Sequence, residues 1–125
     1  MLSKQLLQKW KEEYSKEWFQ FILDNPEYDW KYYLLSRNPN ITWEIVKNNP
    51  DKNWDYNWVS ENSNITIDIV KNNPQIKWDY LYLSYNSMTK GFNDYMEKKE
   101  ELYNTAYKII DRYTNRDIAE MIMSI

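Results

Sequence analysis

The chain contains no cysteine and no histidine, and it has one glycine and four prolines among its 125 residues. Without cysteine there is neither a disulfide framework nor a thiolate nucleophile, and without both residues the usual zinc site and any Ser-His arrangement are excluded. The single glycine, Gly91, excludes a glycine-rich phosphate loop. We therefore expect no metal, no cofactor and few linkers between regular elements.

An excess of positive charge and long apolar runs are also missing. Lys and Arg number 16 against 19 Asp and Glu, which gives a net charge of -3. No segment has the basic excess that a nucleic-acid-binding surface requires. No run approaches the roughly 18 apolar residues of a membrane span, and the charged start lacks the apolar centre of a signal peptide. These absences predict a protein that binds neither nucleic acid nor membrane and is not secreted.

Aromatic residues are abundant instead, at 18% of the chain, and they recur at a fixed distance. The Asn-Pro pairs at 25–26, 49–50 and 73–74 are each 24 residues apart, with no insertion between copies. The residues that follow fall in the same register: Trp30, Trp54 and Trp78, then Ser36, Ser60 and Ser84, then Asn38, Asn62 and Asn86. A fixed period of this length indicates stacked supersecondary units.

The middle copy predicts a helical hairpin. Residues 49–53 and 62–64 are rich in turn formers, and residues 54–61 space their apolar groups as a short helix does. Thr66 is a good N-cap for a second helix, which should stop before Pro74 because the residue preceding a proline disfavours helical geometry. We expect helices of about eight residues, which are too short to be stable without neighbours.

A leucine-rich repeat, with a strand in each unit, is the alternative. Residues 81–88 fit its strand pattern, and 24 residues lies within its period. The other two copies fit less well, because the aliphatic residue follows the repeated asparagine by three positions instead of two. Helical hairpins are therefore the favoured interpretation.

The segments that flank the repeats predict longer helices. Residues 3–24 carry one apolar stripe behind the N-cap Ser3, with Ser15 as a candidate break. The C-terminal side predicts a helix over 92–113 and a short apolar helix over 115–125, with Thr114-Asn115 as its cap. The fold prediction is all-α: a short α-solenoid of 24-residue helical hairpins with capping helices at both ends. It forms a single domain over 1–125, with an N-terminal capping helix (1–24), three tandem repeats (25–88) and C-terminal capping helices (89–125).

The repeated residues have a structural and a functional interpretation. The tryptophans are expected to pack in the core with their indole N–H groups bonded locally, and the alternative is an aromatic surface for a partner peptide. The asparagines are expected to adopt a left-handed turn conformation or to cap exposed carbonyls, and the alternative is recognition of a partner's backbone. The structural interpretation is favoured for the six residues Trp30, Trp54, Trp78, Asn38, Asn62 and Asn86.

The acidic residues offer little catalytic chemistry. Asp55 and Asp79 share one repeat position, but Lys31 stands there in the first unit, which makes a poor ladder for a metal ion. We expect these two residues to be acids of the first helical turn or solvated groups. The pairs at 12–13 and 100–101 lie on charged faces, so an enzyme that uses carboxylates alone is the weakest hypothesis.

The block NPNITWEIVKNNP over residues 38–50, followed by Trp54-Asp55-Tyr56 and a Leu/Val-Ser-x-Asn motif, resembles the 24-residue tandem repeats of proteins encoded by giant DNA viruses. The resemblance covers residues 25–88. The first unit departs from it at 29–31, and the third departs after Asn86. It implies a viral origin, and hence a location in the host cytoplasm or the virion, but it supplies no activity.

The sequence thus predicts a non-enzymatic module that binds a host or viral protein, as an adaptor or a virion component. Specificity is expected at the positions that differ between units, because the shared positions hold the stack together. The predicted binding residues are Tyr33, Arg37, Asn57, Glu61, Leu81, Tyr82 and Tyr85, with Tyr82 and Tyr85 as the main exposed anchors. The alternative is a self-assembling structural protein, a homo-oligomer that uses the apolar helix 115–125 as its contact.

Overall fold

The computed structural model describes residues 2–113 and 116–125, and for residue 113 and residues 116–119 it describes the backbone alone. The described residues form eight α-helices and no strand, so the all-α prediction is confirmed and the strand of the leucine-rich alternative is wrong. The helices are α1 (Lys4–Asp24), α2 (Tyr32–Leu35), α3 (Trp43–Asn48), α4 (Tyr56–Glu61), α5 (Ile67–Asn72), α6 (Tyr80–Tyr85), α7 (Thr89–Tyr113) and α8 (Arg116–Met123). The predicted cap Thr114-Asn115 lies outside the described residues.

The chain divides into two compact units, Met1–Gly91 and Phe92–Ile125. The first unit contains α1 to α6 and the first residues of α7. The second contains the rest of α7 and α8. The expectation of a single domain over 1–125 stays a prediction.

Helix α1 begins where its cap predicts. The Ser3 hydroxyl accepts a hydrogen bond from the Leu6 N–H at 3.1 Å, which satisfies one of the unpaired donors of the first turn. The helix runs without interruption through Ser15, so the expected break is wrong. Ser15 is buried with Phe19 and Ile22, because a small side chain fits the covered face of the helix without disturbing its backbone bonds.

Helices α3 and α5 have matching ends. Their N-caps, Thr42 and Thr66, accept the backbone N–H groups of Ile45 and Ile69 at 3.3 and 3.1 Å. An acid in the first turn of each helix favours the positive end of the helix dipole. At the other end, the side-chain amides of Asn49 and Asn73 donate back to the carbonyls of the same two isoleucines at 2.8 and 2.7 Å. Each helix therefore stops just before its proline.

Helices α4 and α6 start later than predicted, and no helix of the repeats reaches eight residues. Asp55 and Asp79 are N-caps, one position before the first turn: Asp55 accepts from the Trp58 N–H at 3.4 Å and Asp79 from the Tyr82 N–H at 3.0 Å. The preceding tryptophan therefore lies outside the helix, which leaves six residues in each. Helix α2 begins at the equivalent position but ends earlier and has only four residues, and Lys31 at its N-cap provides no side-chain acceptor.

The core of the first unit is built from residues 24 positions apart. The buried apolar side chains include Ile22 with Val46, Ile41 with Ile65, and Trp54 with Trp78. Phe19, Ile45 and Val59 complete the cluster, against which Trp30, Leu35 and Leu83 pack partly buried. Because each short helix presents few apolar groups, it gains stability only by burying them against its neighbours.

Helix α7 begins at Thr89 instead of Phe92, directly after the point where the third copy loses its pattern. Met88 has φ of 53°, a left-handed conformation uncommon for a residue with a side chain. The Lys90 N–H donates to the Ser63 carbonyl at 3.2 Å, and both residues belong to the first compact unit. None of the helices in the described ranges combines the length and apolar character needed to cross a membrane.

Candidate functional site

The repeated serines connect one unit to the next. The Ser36 hydroxyl donates to the Tyr32 carbonyl at 2.8 Å and accepts from the Asp55 N–H at 2.9 Å. Ser60 repeats both bonds, with the Tyr56 carbonyl at 2.6 Å and the Asp79 N–H at 3.0 Å. Both serines are completely buried. Each hydroxyl is therefore occupied inside the unit and is inaccessible to a ligand.

The repeated asparagines reach back to the preceding unit. The Asn62 Nδ2 lies 3.1, 3.0 and 3.3 Å from the carbonyl oxygens of Ser36, Asn38 and Ile41. Its Oδ1 accepts the Asn64 N–H at 3.0 Å, which closes an Asx turn. The side chain is thus saturated as donor and acceptor.

Asn86 follows the same pattern with the unit before it. Its Nδ2 donates to the Ser60 and Asn62 carbonyls, both at 2.8 Å. Asn62 and Asn86 have φ of -64° and -69°, so of the two alternatives predicted for them the left-handed conformation is wrong, and the side chains bind exposed carbonyls instead. A left-handed residue is not needed here because the side-chain amide, instead of a backbone N–H, donates hydrogen bonds to these carbonyls.

The repeated tryptophans bond to their own turns. The indole N–H groups of Trp30, Trp54 and Trp78 donate to the carbonyls five residues earlier, at 2.8, 2.8 and 2.9 Å. Trp54 and Trp78 are buried, and Trp30 is partly buried. The Trp54 ring lies against Phe19 and Tyr32, and the Trp78 ring lies 5.4 Å from Trp43. These rings and their polar atoms are engaged within the unit.

The seven predicted binding residues lie on helices α2, α4 and α6 or directly after α2, and α4 packs against α6. We call this set the variable face: Tyr33, Arg37, Asn57, Glu61, Leu81, Tyr82 and Tyr85. Tyr33, Leu81 and Tyr85 are 47%, 62% and 67% exposed, and Arg37 and Asn57 are also exposed. Glu61 and Tyr82 are only partly exposed, so the expectation of Tyr82 as a main exposed anchor is wrong.

Trp58 is a residue of this surface that the sequence reasoning missed. The Arg37 guanidinium lies 4.7 Å from the centre of the Trp58 ring, within cation–π range, and the Tyr33 ring lies 6.5 Å away. Trp58 therefore joins α2 to α4 at the edge of the variable face. Trp58 differs from the repeated tryptophans because the equivalent positions of the other units hold Leu34 and Tyr82. That difference is the signal that could have marked Trp58 as a surface residue.

A groove on the first compact unit was also not predicted from the sequence. It encloses about 430 Å³ between α1, α3 and α5, with Phe19, Trp43 and Ile69 among the apolar residues and Glu12, Lys16 and Glu44 among the charged ones. Its lining comes from these three helices, from Lys90 of α7 and from the turns between them, so no local pattern marks it. Its charges are of both signs and do not select one class of ligand.

The electrostatics of the described residues are weak. The Lys31 ammonium donates a hydrogen bond to the Asp29 carboxylate, and this bond raises the pKa of Lys31 above its ordinary value. The pair is exposed to solvent and contributes little to stability. Within residues 2–113 and 116–125, no three acidic side chains are placed to hold a metal ion. The described surface therefore offers shape and aromatic contact more than charge.

No protein-family model, curated protein or solved structure matches the chain. The function of the chain is therefore inferred from its own surface.

Proposed function

We propose that the protein is a small, non-enzymatic α-solenoid that binds a protein partner through the variable face. The observation that carries the proposal is the exposure of Tyr33 on α2, where Arg37 stacks on Trp58, and of Leu81 and Tyr85 on α6, which packs against α4. Tyr, Trp and Arg are the residues that most often dominate the binding energy of protein interfaces. Leu81 and Tyr85 are one helical turn apart on α6, and exposed apolar groups that lie close together are typical of an interaction site.

The solenoid architecture is supported by bonds that recur every 24 residues. The Ser36–Asp55 bond recurs as Ser60–Asp79, and the Asn62–Asn38 bond recurs as Asn86–Asn62. Each unit thus contacts the next through the same atoms, as in solenoids with nearest-neighbour stacking. The repeated residues would build the scaffold, which leaves the positions that differ between units free to select a partner.

The variable face suits a partner with an apolar patch and a polar surround. Leu81 and Tyr85 supply exposed apolar area at one end, and Arg37 and Glu61 supply one charge of each sign. Because Arg37 already stacks on Trp58, it loses little side-chain freedom when it binds. The resemblance of residues 38–50 to repeats of giant DNA viruses supports a role as a host-directed adaptor or a virion component, in the host cytoplasm or the virion.

The test compares three forms of the full chain in infected cells. The face variant is Leu81→Ala with Tyr85→Ala, and the matched control is Leu7→Ala with Tyr14→Ala, which removes a leucine and a tyrosine exposed on α1. We expect affinity purification with mass spectrometry to recover a partner with the wild type and the control, but not with the face variant. With the purified partner, the face variant should bind about tenfold or more weakly. Equal affinity of all three forms would contradict the proposal.

A second candidate function is structural self-assembly through the helix 115–125. It is favoured by the exposure of Met121, Met123 and Ile125, at 62%, 83% and 104%. If this helix is the contact, deleting residues 115–125 should convert an oligomer into a monomer with the helical signal of the repeats intact. Size-exclusion chromatography with light scattering measures this, and an oligomer that survives the deletion rules this contact out.

A further inference from the structure

The third repeat ends with a hydroxyl that the first two repeats use to hold the unit that follows. The Ser84 hydroxyl donates to the Tyr80 carbonyl at 2.8 Å, as Ser36 and Ser60 donate to the carbonyls four residues before them. Those two serines also accept the N–H of the next unit's aspartate and are buried. Ser84 is exposed and accepts no hydrogen bond from the described residues. One half of the repeated junction is therefore unused at Ser84.

Two backbone carbonyls at the end of α6 are in the same condition. In the second unit, the Ser60 and Asn62 carbonyls each accept the Asn86 side-chain amide at 2.8 Å. The equivalent carbonyls of Ser84 and Asn86 receive no side-chain donor from any residue that the structure describes. The third unit thus offers the acceptors of a junction without the donors that bind them in the earlier units.

Tyr80 is exposed at a position where the earlier units pack a ring. Tyr32 and Tyr56 lie partly buried against the core, and the Tyr32 ring lies edge-on to Trp54 of the next unit at 5.3 Å. Tyr80 is 79% exposed, and residues 92–125 contain no tryptophan, so the chain supplies no later tryptophan for this place. We call the following residues the C-terminal edge: Tyr80, Ser84 and Asn86.

The first repeat carries the donors of the same junction. The Asn38 Oδ1 closes its turn with the Asn40 N–H at 2.8 Å, but its Nδ2 has no acceptor among the described residues, unlike the Nδ2 atoms of Asn62 and Asn86. The carbonyls 24 and 26 residues earlier belong to the middle of α1, where helical N–H groups bind them. The amide donors of Asn38 are therefore unused.

Two further residues complete this edge. The Lys31 N–H stands where the equivalent aspartate N–H groups bind the repeated serines, and no group of the described ranges accepts it. Trp30 is only partly buried, whereas the other two repeated tryptophans are buried. We call Trp30, Lys31 and Asn38 the N-terminal edge. Both edges belong to the first compact unit.

The two edges are complementary to each other. The donors at 31 and 38 are seven positions apart, as are those at 55 and 62 and those at 79 and 86. The acceptors at 84 and 86 have the spacing of 36 and 38 and of 60 and 62. Each bond of the internal junctions therefore has its donor on one edge and its acceptor on the other. A second copy of this chain carries these groups at the required spacing, which identifies it as the occupant.

We propose that the N-terminal edge of one copy stacks on the C-terminal edge of another, so that the 24-residue register continues from chain to chain. Such an interface joins two different surfaces, so each added copy presents a new free edge, and assembly continues until a ring closes or a filament forms. The proposal does not rest on the variable face or on the helix 115–125. Its test substitutes residues outside both.

The first experiment follows the mass of the full chain by sedimentation and light scattering as its concentration rises. We expect an average mass that grows with concentration and exceeds twice the chain mass of 15.5 kDa. A protein that remains a monomer at hundreds of micromolar would overturn the proposal. A mass that stops at two copies would also overturn it, because a closed pair leaves no free edge.

The second experiment disables one edge at a time. Tyr80→Glu places a charge in the C-terminal edge, and Asn38→Asp replaces the amide donors of the N-terminal edge by a carboxylate that repels carbonyls. Each should weaken self-association about tenfold or more while circular dichroism shows the same helical content. The control for Tyr80 is Ile67→Glu, which is also the first residue of a six-residue helix and is 59% exposed. The control for Asn38 is Asn53→Asp, at an exposed turn of the second unit.

Mixing the two edge variants provides the decisive measurement. The Asn38→Asp chain retains its C-terminal edge and the Tyr80→Glu chain retains its N-terminal edge, so the mixture can form one intact junction. We expect a pair of one copy of each variant and nothing larger. Variants that associate as the wild type does, or a mixture that remains monomeric, would overturn the proposal. Both results leave partner binding by the variable face untouched, since neither substitution lies on it.

Discussion

The side chain of Asn62 carries more of the unit-to-unit contact than any other single polar group described above. It is 5% exposed, its Nδ2 faces three carbonyl oxygens of the preceding unit, and its Oδ1 holds the Asn64 N–H. An amide supplies two donors and an acceptor on a short stem. A carboxylate has the same shape but no donors, and its charge would repel the carbonyls.

Asn62→Asp should therefore destabilise the protein by about 2–3 kcal/mol, because it leaves buried carbonyls without donors and buries a charge beside them. The matched control is Asn38→Asp. The Asn38 Oδ1 accepts the Asn40 N–H at 2.8 Å, and a carboxylate retains that bond. We expect less than about 1 kcal/mol for the control. Chemical denaturation followed by circular dichroism measures both, and equal losses would disprove the role assigned to Asn62.

At the scale of the element, the N-cap decides how well the start of each short helix is satisfied. Helices α4 and α6 begin behind Asp55 and Asp79, whose carboxylates accept backbone N–H groups of the first turn. The equivalent Lys31 has no acceptor to offer, and α2 has four residues where the others have six. The start of α2 is therefore the least well capped of the three, since a lysine cannot satisfy the unpaired donors of a helix start, whereas the shorter length of α2 arises at its C-terminal end.

Lys31→Asn should stabilise the protein by about 0.5–1 kcal/mol by giving α2 an N-cap. Loss of the Lys31–Asp29 pair costs little because the pair is exposed. Asp55→Ala should cost about 1 kcal/mol, whereas Asp55→Asn keeps the cap and should stay close to the wild type. Thermal and urea unfolding of the three variants provide the measurement. A destabilising Lys31→Asn would indicate that the α2 backbone, with ψ of 89° at Lys31, does not accept a cap.

At the scale of the whole molecule, a stack held by nearest-neighbour contacts should accept another complete unit. Stability in such an architecture is a sum of unit and interface terms, so an added unit contributes one more of each. The site after Asn72 is favourable for such an insertion. A copy of residues 49–72 placed there recreates the Asn-Asn-Pro turn at both of its ends.

That 24-residue insertion should give a folded protein with more helical signal and a free energy of unfolding raised by about 1 kcal/mol or more. Inserting only residues 49–60 is the control. It shifts the register by half a unit, so the serine and asparagine bonds lose their partners and the protein should be destabilised. Circular dichroism and denaturant unfolding separate the two outcomes. Equal tolerance of both insertions would contradict the stacked-unit proposal.

Much of the local structure was predictable from the sequence because its causes lie within a few residues. Ser3, Thr42 and Thr66 are side-chain acceptors placed three positions before the N–H groups they bind. The stops before Pro50 and Pro74 are equally local, since proline restricts the residue before it. The 24-residue register identified which residues would be equivalent, and the all-α class followed from these signals.

The contacts between units had no such local signal. The Asn62 amide donates to carbonyls 21 to 26 residues earlier, so the sequence could predict that it binds exposed carbonyls but not that these belong to the preceding repeat. Three further features likewise depend on which helices are adjacent: the partial burial of Tyr82, the stacking of Arg37 on Trp58, and the groove lined by Trp43.

By itself, then, the sequence determined the helices, their caps and the equivalence of the units, since backbone conformation and capping depend on residues close in the chain. Tertiary structure alone decided which repeated polar groups are buried and hydrogen-bonded and which side chains remain exposed. Burial and hydrogen bonding between distant segments depend on packing in three dimensions, and the seven residues of the variable face differ in exposure for that reason.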